Sequence, residues 1–327
     1  MARPMTAPRW RLAALAIVAA LLAVAALACS ADSESTQTDP PPTAEATAVV
    51  KQRRVDQTPL IKGPVSEDGL QAIFATPDLG VGRNRFAFVL TSAERLSSAP
   101  VATVSSYYIP VDGAAPELEQ TALALFHPFP YVSRGLYATR LEFDRPGRWS
   151  IEASVPDEGE GPRSATLEFN VPESASAPAL GSPAVRSDSK TNADVERPAQ
   201  LATGSLHDPD LYRLTIAEAV DSGIPTVVVM ASPAFCTNAV CGPQVEVLSQ
   251  LKDEFRGQAN FIHVDFYDNP EEIQGDLSRA RLSPTVVEWN LPSGEWSFVI
   301  DRQGIVAGRF ESFATLAELR TALKDVF

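Results

Sequence analysis

Two cysteines in the segment 235–244, FCTNAVCGPQ, are the residues of this sequence best suited to chemistry. Four residues separate Cys236 from Cys241, and a loop of this size can fold back so that the two sulfurs come within disulfide distance. Such a pair can exchange electrons with other thiols, remain a static disulfide, or supply two ligands of a metal ion. Two cysteines alone are too few for a structural zinc site.

The third cysteine, Cys29, ends an N-terminal segment that is typical of a bacterial secretory signal. Residues 1–11 contain three arginines and no acidic residue, and residues 12–28 are apolar. The sequence ALACS around Cys29 resembles the lipobox, in which signal peptidase cuts before a cysteine that then carries diacylglycerol. We therefore expect residues 1–28 to be a lipoprotein signal peptide, with an uncleaved membrane anchor as the alternative.

Both interpretations of the N-terminus place the rest of the chain outside the cytoplasm, at the membrane. Disulfides persist in such oxidising compartments. If Cys29 carries a lipid, Cys236 and Cys241 have only each other as partners. The net charge of -14 over 327 residues leaves no broad basic surface for phosphates, so we do not expect nucleic-acid binding.

Composition and periodicity divide the remaining chain into four parts. Residues 29–62 are rich in Ser, Thr, Asp and Pro and are predicted to form a disordered tether. Residues 63–172 alternate apolar and polar side chains, as half-buried strands do, and are predicted to form an antiparallel β-sandwich that resembles immunoglobulin-like domains. Residues 173–205 read as a linker, and residues 206–327 as a second domain.

The periodicity of the second domain differs from that of the first. The run 225–231, PTVVVMA, predicts a strand buried on both faces, and the apolar stripe in 243–255 predicts a helix. A strand over 260–267, a hairpin that turns near Gly304, and a C-terminal helix complete the expected order. The segments 268–282 and 286–295 show no clear pattern.

A buried strand, a cysteine pair at the start of a helix and a distal hairpin together resemble the thioredoxin superfamily. The hairpin SFVIDRQGIVAGRFE is similar to that of membrane-tethered thioredoxin-like proteins and peroxiredoxins. The resemblance implies an α/β thioredoxin-like domain after the β-sandwich, with Cys236 as nucleophile and Cys241 as resolving cysteine. It also implies supporting roles for Phe235, Gly242 and Pro243.

The family's substrate-aligning cis-proline has two candidate positions in this sequence. The local motif Ser283-Pro284 fits one alignment, whereas counting back from the strand around Phe298 places the position at Trp296. The helix start is also open. Pro243 suits a first turn, which would put Cys241 at the start of the helix. Alternatively the helix starts just after Cys236, and Pro243 kinks it.

Copper binding is a further alternative, from a likeness to Sco-type copper chaperones, which use two cysteines and a distal histidine. The chain has three histidines, His127, His207 and His263, and Trp296 stands near the expected place of the Sco histidine. Asp265 and the acidic residues after it have the density of a solvated helix start. We therefore expect neither a metal nor a cofactor.

The sequence favours an extracytoplasmic, lipid-anchored thiol–disulfide oxidoreductase that acts on protein thiols and disulfides. Because four residues separate the cysteines, where the resembled family usually has two, a second class stays open. In that class the protein is a non-catalytic binding or assembly module, and the disulfide only staples a loop.

Overall fold

The structure is a computed structural model that describes residues 60–92, 99–132, 134–156, 161–204, 208–235 and 240–327. The predicted signal peptide lies outside the described residues, as does the predicted tether except for its last three residues. Within the described ranges, no helix combines the length and the apolar character needed to cross a membrane.

The strands predicted over 63–172 are present, but they form one sheet. Seven antiparallel strands are arranged in the order β1-β2-β5-β4-β3-β6-β7, and the sheet is nearly closed on itself. The prediction of a sandwich of two packed sheets is therefore wrong. The strands are β1 (Leu70–Phe74), β2 (Gly82–Ser92), β3 (Val101–Ile109), β4 (Glu117–Pro128), β5 (Gly135–Phe143), β6 (Gly147–Val155) and β7 (Arg163–Val171).

The inner face of this sheet is filled by the alternating apolar residues that the sequence pattern indicates. Phe86 and Phe88 of β2 are fully buried, and Phe86 lies 5.2 Å from Phe169 of β7, measured between ring centroids. Trp149 packs edge-on against Phe143 across the turn between β5 and β6, where Gly147 has a positive φ of 138°. Because strand curvature brings both ends of the sheet around one aromatic core, a second sheet is not needed to cover it.

The C-terminal half contains a four-stranded sheet in the order β11-β10-β8-β9. Strands β8 and β9 are parallel, whereas β10 is antiparallel to both of its neighbours. The strands are β8 (Thr226–Ala231), β9 (Asn260–Val264), β10 (Glu295–Ile300) and β11 (Val306–Glu311), and the helices are α1 (Ile216–Asp221), α2 (Cys241–Glu254), α3 (Pro270–Ile273), α4 (Pro284–Glu288) and α5 (Leu316–Lys324).

These elements correct the predicted fold class, because the protein is sheet-rich and only 19% helical and does not contain an α/β thioredoxin-like domain. Three of the helices between strands are single turns or little more: α1 has six residues, α3 four and α4 five. Helix α1 starts at Ile216, because the Thr215 hydroxyl accepts the Glu218 N–H and caps the helix there.

Part of the outer face of the first sheet, on β2 and β5, is covered by the C-terminal half. Ala87, Leu136 and Ala138 of β2 and β5 belong to the same buried cluster as residues of α2 and α5. The described residues all belong to one compact unit. The segment predicted as a linker also contributes, since Ser187 and Ser189 are buried.

Candidate functional site

Cys241 is the first residue of α2, so the alternative in which the helix starts at the loop and buries Cys241 one turn inside is not observed. Its side chain is almost fully buried, with 3% exposed, and it is disulfide-bonded. Cys236 and the lipidation candidate Cys29 lie outside the described residues.

The first turn of α2 is built from the residues that follow Cys241. The first intrahelical hydrogen bond runs from the Gln244 N–H to the Val240 carbonyl oxygen, at 2.8 Å. Pro243 is the third helical residue, where an N–H would have no partner within the helix, so its ring does not weaken the helix. Gly242 has open space around its α-carbon, which leaves this side of the helix start uncovered by described residues.

The segment before β10 contacts Cys241. The Cys241 Sγ lies 4.0 Å from the carbonyl oxygen of Gly294. Trp296, in β10, is fully buried, and its Nε1–H donates to the Ser293 carbonyl oxygen at 3.1 Å. Of the two candidate positions for a substrate-aligning residue, Trp296 is therefore the one bonded to the loop that contacts the sulfur.

Ser283 and Pro284 lie elsewhere, at the start of α4. They line a cavity of about 120 Å³ together with residues from the predicted linker and the end of β9. The cavity wall includes Tyr212, His263 and Asp265. No cysteine of the described residues lines it, so the structure does not bring Ser283 and Pro284 to Cys241.

Asp265 is a buried acid that the sequence pattern misassigned to a solvated surface. It directly follows β9, and its carboxylate accepts hydrogen bonds from the Thr203 N–H at 2.7 Å, the Thr203 hydroxyl at 2.9 Å and the Tyr267 N–H at 3.0 Å. Burial raises the pKa of Asp265 to about 6, and these hydrogen bonds oppose the rise. Its place directly after a parallel strand was the signal in the sequence that could have identified it.

The Asp265 cluster also holds the chain that leads to Cys236. The Ala234 N–H donates to the Thr203 hydroxyl at 3.1 Å, and the Phe235 ring lies edge-on to the Tyr267 ring, 6.2 Å away between centroids. Phe235, predicted to support the site, therefore contacts the loop that follows Asp265. This arrangement fixes the position from which the cysteine loop departs.

His263 is buried within the protein and hydrogen-bonded at both ring nitrogens. Its Nε2 lies 3.0 Å from the Ala231 carbonyl oxygen, which can only accept, so Nε2 carries the proton. Its Nδ1 therefore accepts the Tyr212 hydroxyl proton, at 2.6 Å. Burial raises the pKa of Tyr212 well above its ordinary value, with smaller contributions from nearby Asp265 and Asp208.

The other two histidines do not join this site. His127 is in β4 of the first sheet, and burial lowers its pKa. His207 lies outside the described residues. Within the ranges that the structure covers, no group of three or more His, Cys, Asp or Glu side chains is placed to hold a metal ion.

Comparison with known proteins assigns no family to this chain. No protein-family model matches it, and no curated protein matches it.

Proposed function

We propose that this protein is an extracytoplasmic, membrane-anchored thiol–disulfide oxidoreductase in which Cys236 and Cys241 form the redox pair. The observation that supports this most directly is the disulfide-bonded Cys241 at the first residue of the 14-residue helix α2. The unpaired N–H groups at a helix start favour negative charge. Negative charge develops on the sulfurs when a disulfide opens.

The burial of Cys241 assigns different roles to the two cysteines. The sulfur of a residue that is only 3% exposed cannot be approached by the disulfide of another protein. Cys236 is therefore the attacking thiolate, and Cys241 reacts only with the sulfur of Cys236. This assignment agrees with the order expected from the sequence, in which the first cysteine attacks and the second resolves.

The reaction transfers two electrons in two exchanges. The Cys236 thiolate attacks one sulfur of a substrate disulfide, forms a mixed disulfide and releases the other substrate sulfur as a thiolate. The Cys241 thiolate then attacks the Cys236 sulfur, which closes the Cys236–Cys241 disulfide and releases the second substrate thiolate. Both released thiolates take protons from solvent. An external dithiol restores the reduced pair by the same exchanges in reverse.

The reduction potential of the pair in the full chain tests this function. We expect a value between about -120 and -270 mV, the range of known exchange catalysts, when the protein is equilibrated in glutathione buffers and its free thiols are alkylated. Cys241→Ser should trap a mixed disulfide with a substrate, whereas Cys236→Ser should trap none. A potential below about -300 mV, with no trapped species, would overturn the proposal.

A static disulfide in a binding module is the second candidate, and the near-complete burial of Cys241 favours it. In that case Cys236→Ser should lower the melting temperature, and the wild-type chain should exchange with no test disulfide. The proposed anchor has its own test. Cys29→Ser should move the chain from the membrane fraction to the soluble extracytoplasmic fraction if Cys29 carries the lipid.

A further inference from the structure

The loop that touches Cys241 is held by a buried carboxyl group, that of Glu311 at the end of β11. Glu311 is 3% exposed. Its Oε1 accepts the Ser293 hydroxyl at 2.6 Å, and its Oε2 accepts the Asp78 N–H at 2.9 Å. One carboxyl group therefore connects the first sheet's β1–β2 loop to the segment before β10.

The backbone around Ser293 is constrained on both sides. Trp296 Nε1–H binds the Ser293 carbonyl oxygen at 3.1 Å, and the Ser312 N–H binds the Glu295 carbonyl oxygen at 3.0 Å. Ser312 adopts the left-handed region with a φ of 62°, and Asn290 does so with a φ of 49°. Non-glycine residues in this region store strain, which persists only where surrounding contacts enforce it.

The charges that face Glu311 make its carboxyl group sensitive to its contacts. Asp78 and Arg309 form an ion pair beside it, and the Arg309 guanidinium lies over the Trp296 ring, 4.8 Å from its centroid. The pKa of Glu311 is raised to about 7, chiefly by burial and to a smaller degree by the Asp78 charge, while the Ser293 and Asp78 hydrogen bonds and Arg309 oppose the rise. The two hydrogen bonds therefore stabilise an ionised group that burial disfavours.

The Gly294 carbonyl interacts differently with the two redox states of Cys241. In the disulfide, Sγ has no hydrogen, and the 4.0 Å contact with the oxygen is not a hydrogen bond. In the dithiol, the Cys241 S–H can donate to this carbonyl. A carbonyl held in place therefore stabilises the reduced state relative to the oxidised state.

We propose that Glu311 and Ser293 are positioning residues that hold the Gly294 carbonyl against Cys241 and thereby shift the dithiol–disulfide equilibrium toward the dithiol. This inference rests on the proposed function, because a shifted equilibrium affects catalysis only if the pair exchanges with a substrate. The equilibrium itself can be measured whether or not the protein exchanges with a substrate.

The test is the equilibrium constant between dithiol and disulfide in the full chain, for wild type, Ser293→Ala, Glu311→Gln and the double variant. We expect each single variant to favour the disulfide by threefold to tenfold, where tenfold corresponds to about 30 mV. The double variant should shift no further than either single variant, because both side chains act through one hydrogen bond.

Matched controls separate positioning from general stability. Ser222→Ala removes a hydroxyl bonded to the Ala219 carbonyl, and Glu318→Gln neutralises a partly buried acid that is paired with Arg85. Both should leave the equilibrium constant within twofold of wild type, even where Glu318→Gln lowers the melting temperature.

The inference is overturned if Ser293→Ala folds and its equilibrium constant stays within twofold of wild type. It is equally overturned if Glu318→Gln shifts the constant as much as Glu311→Gln does. Because Ser293→Ala removes only one hydroxyl, the test stands even if Glu311→Gln fails to fold. If the wild-type chain exchanges with no substrate disulfide but the variants shift the dithiol–disulfide equilibrium as expected, the proposed function is contradicted and the inference is supported.

Discussion

Arg85 of β2 connects the first sheet to the C-terminal half through several hydrogen bonds, so its replacement should weaken the contact between them. Its Nε donates to Glu318 Oε1 at 2.8 Å, and its two terminal nitrogens donate to the carbonyl oxygens of Glu311 at 2.9 Å and Phe313 at 2.7 Å. The Arg85 side chain is 8% exposed and that of Glu318 20%. Arg85→Met keeps the apolar stem and removes all of these donors.

We expect Arg85→Met to lower the free energy of unfolding by about 3–5 kcal/mol at pH 7.5, because Glu318 would be left buried, charged and without its cation. Burial raises the pKa of Glu318, but Arg85 outweighs it and holds the pKa below its ordinary value. In wild type the pair therefore stabilises the fold above the ordinary carboxyl pKa, and this stabilisation is lost as the pH falls through the lowered pKa.

The loss of Arg85 reverses that pH dependence at Glu318. With Arg85 absent, burial would raise the pKa of Glu318 above its unfolded value, so ionised Glu318 would destabilise the variant at neutral pH. Glu318 becomes protonated on acidification, and the destabilisation should shrink as the pH falls from 7.5 to about 4.5. Urea unfolding of the full chain at both pH values measures this difference.

Arg148→Met is the matched control for Arg85→Met. Arg148 pairs with Glu168 at the same 2.8 Å, but the two side chains are 61% and 63% exposed, so we expect a loss below about 1 kcal/mol. If Arg85→Met costs no more than Arg148→Met at pH 7.5, or costs the same at both pH values, the assignment of Arg85 as a buried connector between the halves is wrong.

Four further predictions concern buried groups and a helix cap. Burial raises the pKa of Asp265 to about 6. The wild type should therefore lose up to about 3 kcal/mol of stability relative to Asp265→Asn as the pH rises from 4 to 6. If urea unfolding gives the same stability difference between the two proteins at both pH values, this prediction is wrong. Tyr212→Phe removes the hydroxyl that binds His263 Nδ1 and should cost about 1–3 kcal/mol. Nitrogen NMR of wild-type His263 should show the proton on Nε2, and an Nδ1–H form would contradict the assigned hydrogen bonds. The Thr315 hydroxyl accepts the Glu318 N–H and caps α5. Thr315→Ala removes this cap and should lower the melting temperature by an amount equivalent to about 1 kcal/mol. An unchanged melting temperature would show that the cap contributes nothing.

Local pattern was sufficient to identify most strands and both longer helices. Residues 225–231 were predicted as a strand buried on both faces, and β8 is buried along its whole length. The alternation around Phe86 and Phe88 correctly identified the inner face of β2. Ala87 faces the other way and is also buried, because the C-terminal half covers it. Alternation within one strand carries no information about a partner so distant in sequence.

The candidate site was predictable only in part, for the same reason. The apolar stripe after Pro243 indicated a helix, but the sequence left open whether it begins at Cys241 or just after Cys236; α2 begins at Cys241. Gly294 and Ser293 carry no motif, and they come to Cys241 only because β10 lies beside β8 in the sheet. Asp265 read as a surface acid because two of its hydrogen bonds come from Thr203, which is 62 residues away in the sequence.

The sequence by itself determined the cysteine spacing, the N-terminal signal pattern, the charge balance and the inward face of strands such as β2 and β6. These properties depend on residue type and local spacing, which chain folding does not alter. Only the tertiary structure decided that the seven N-terminal strands close into one sheet and that this sheet packs on the C-terminal half. It also decided that Glu311 lies behind the loop touching Cys241. These features depend on pairings between residues far apart in the chain, whose free energies arise only when both partners are buried together.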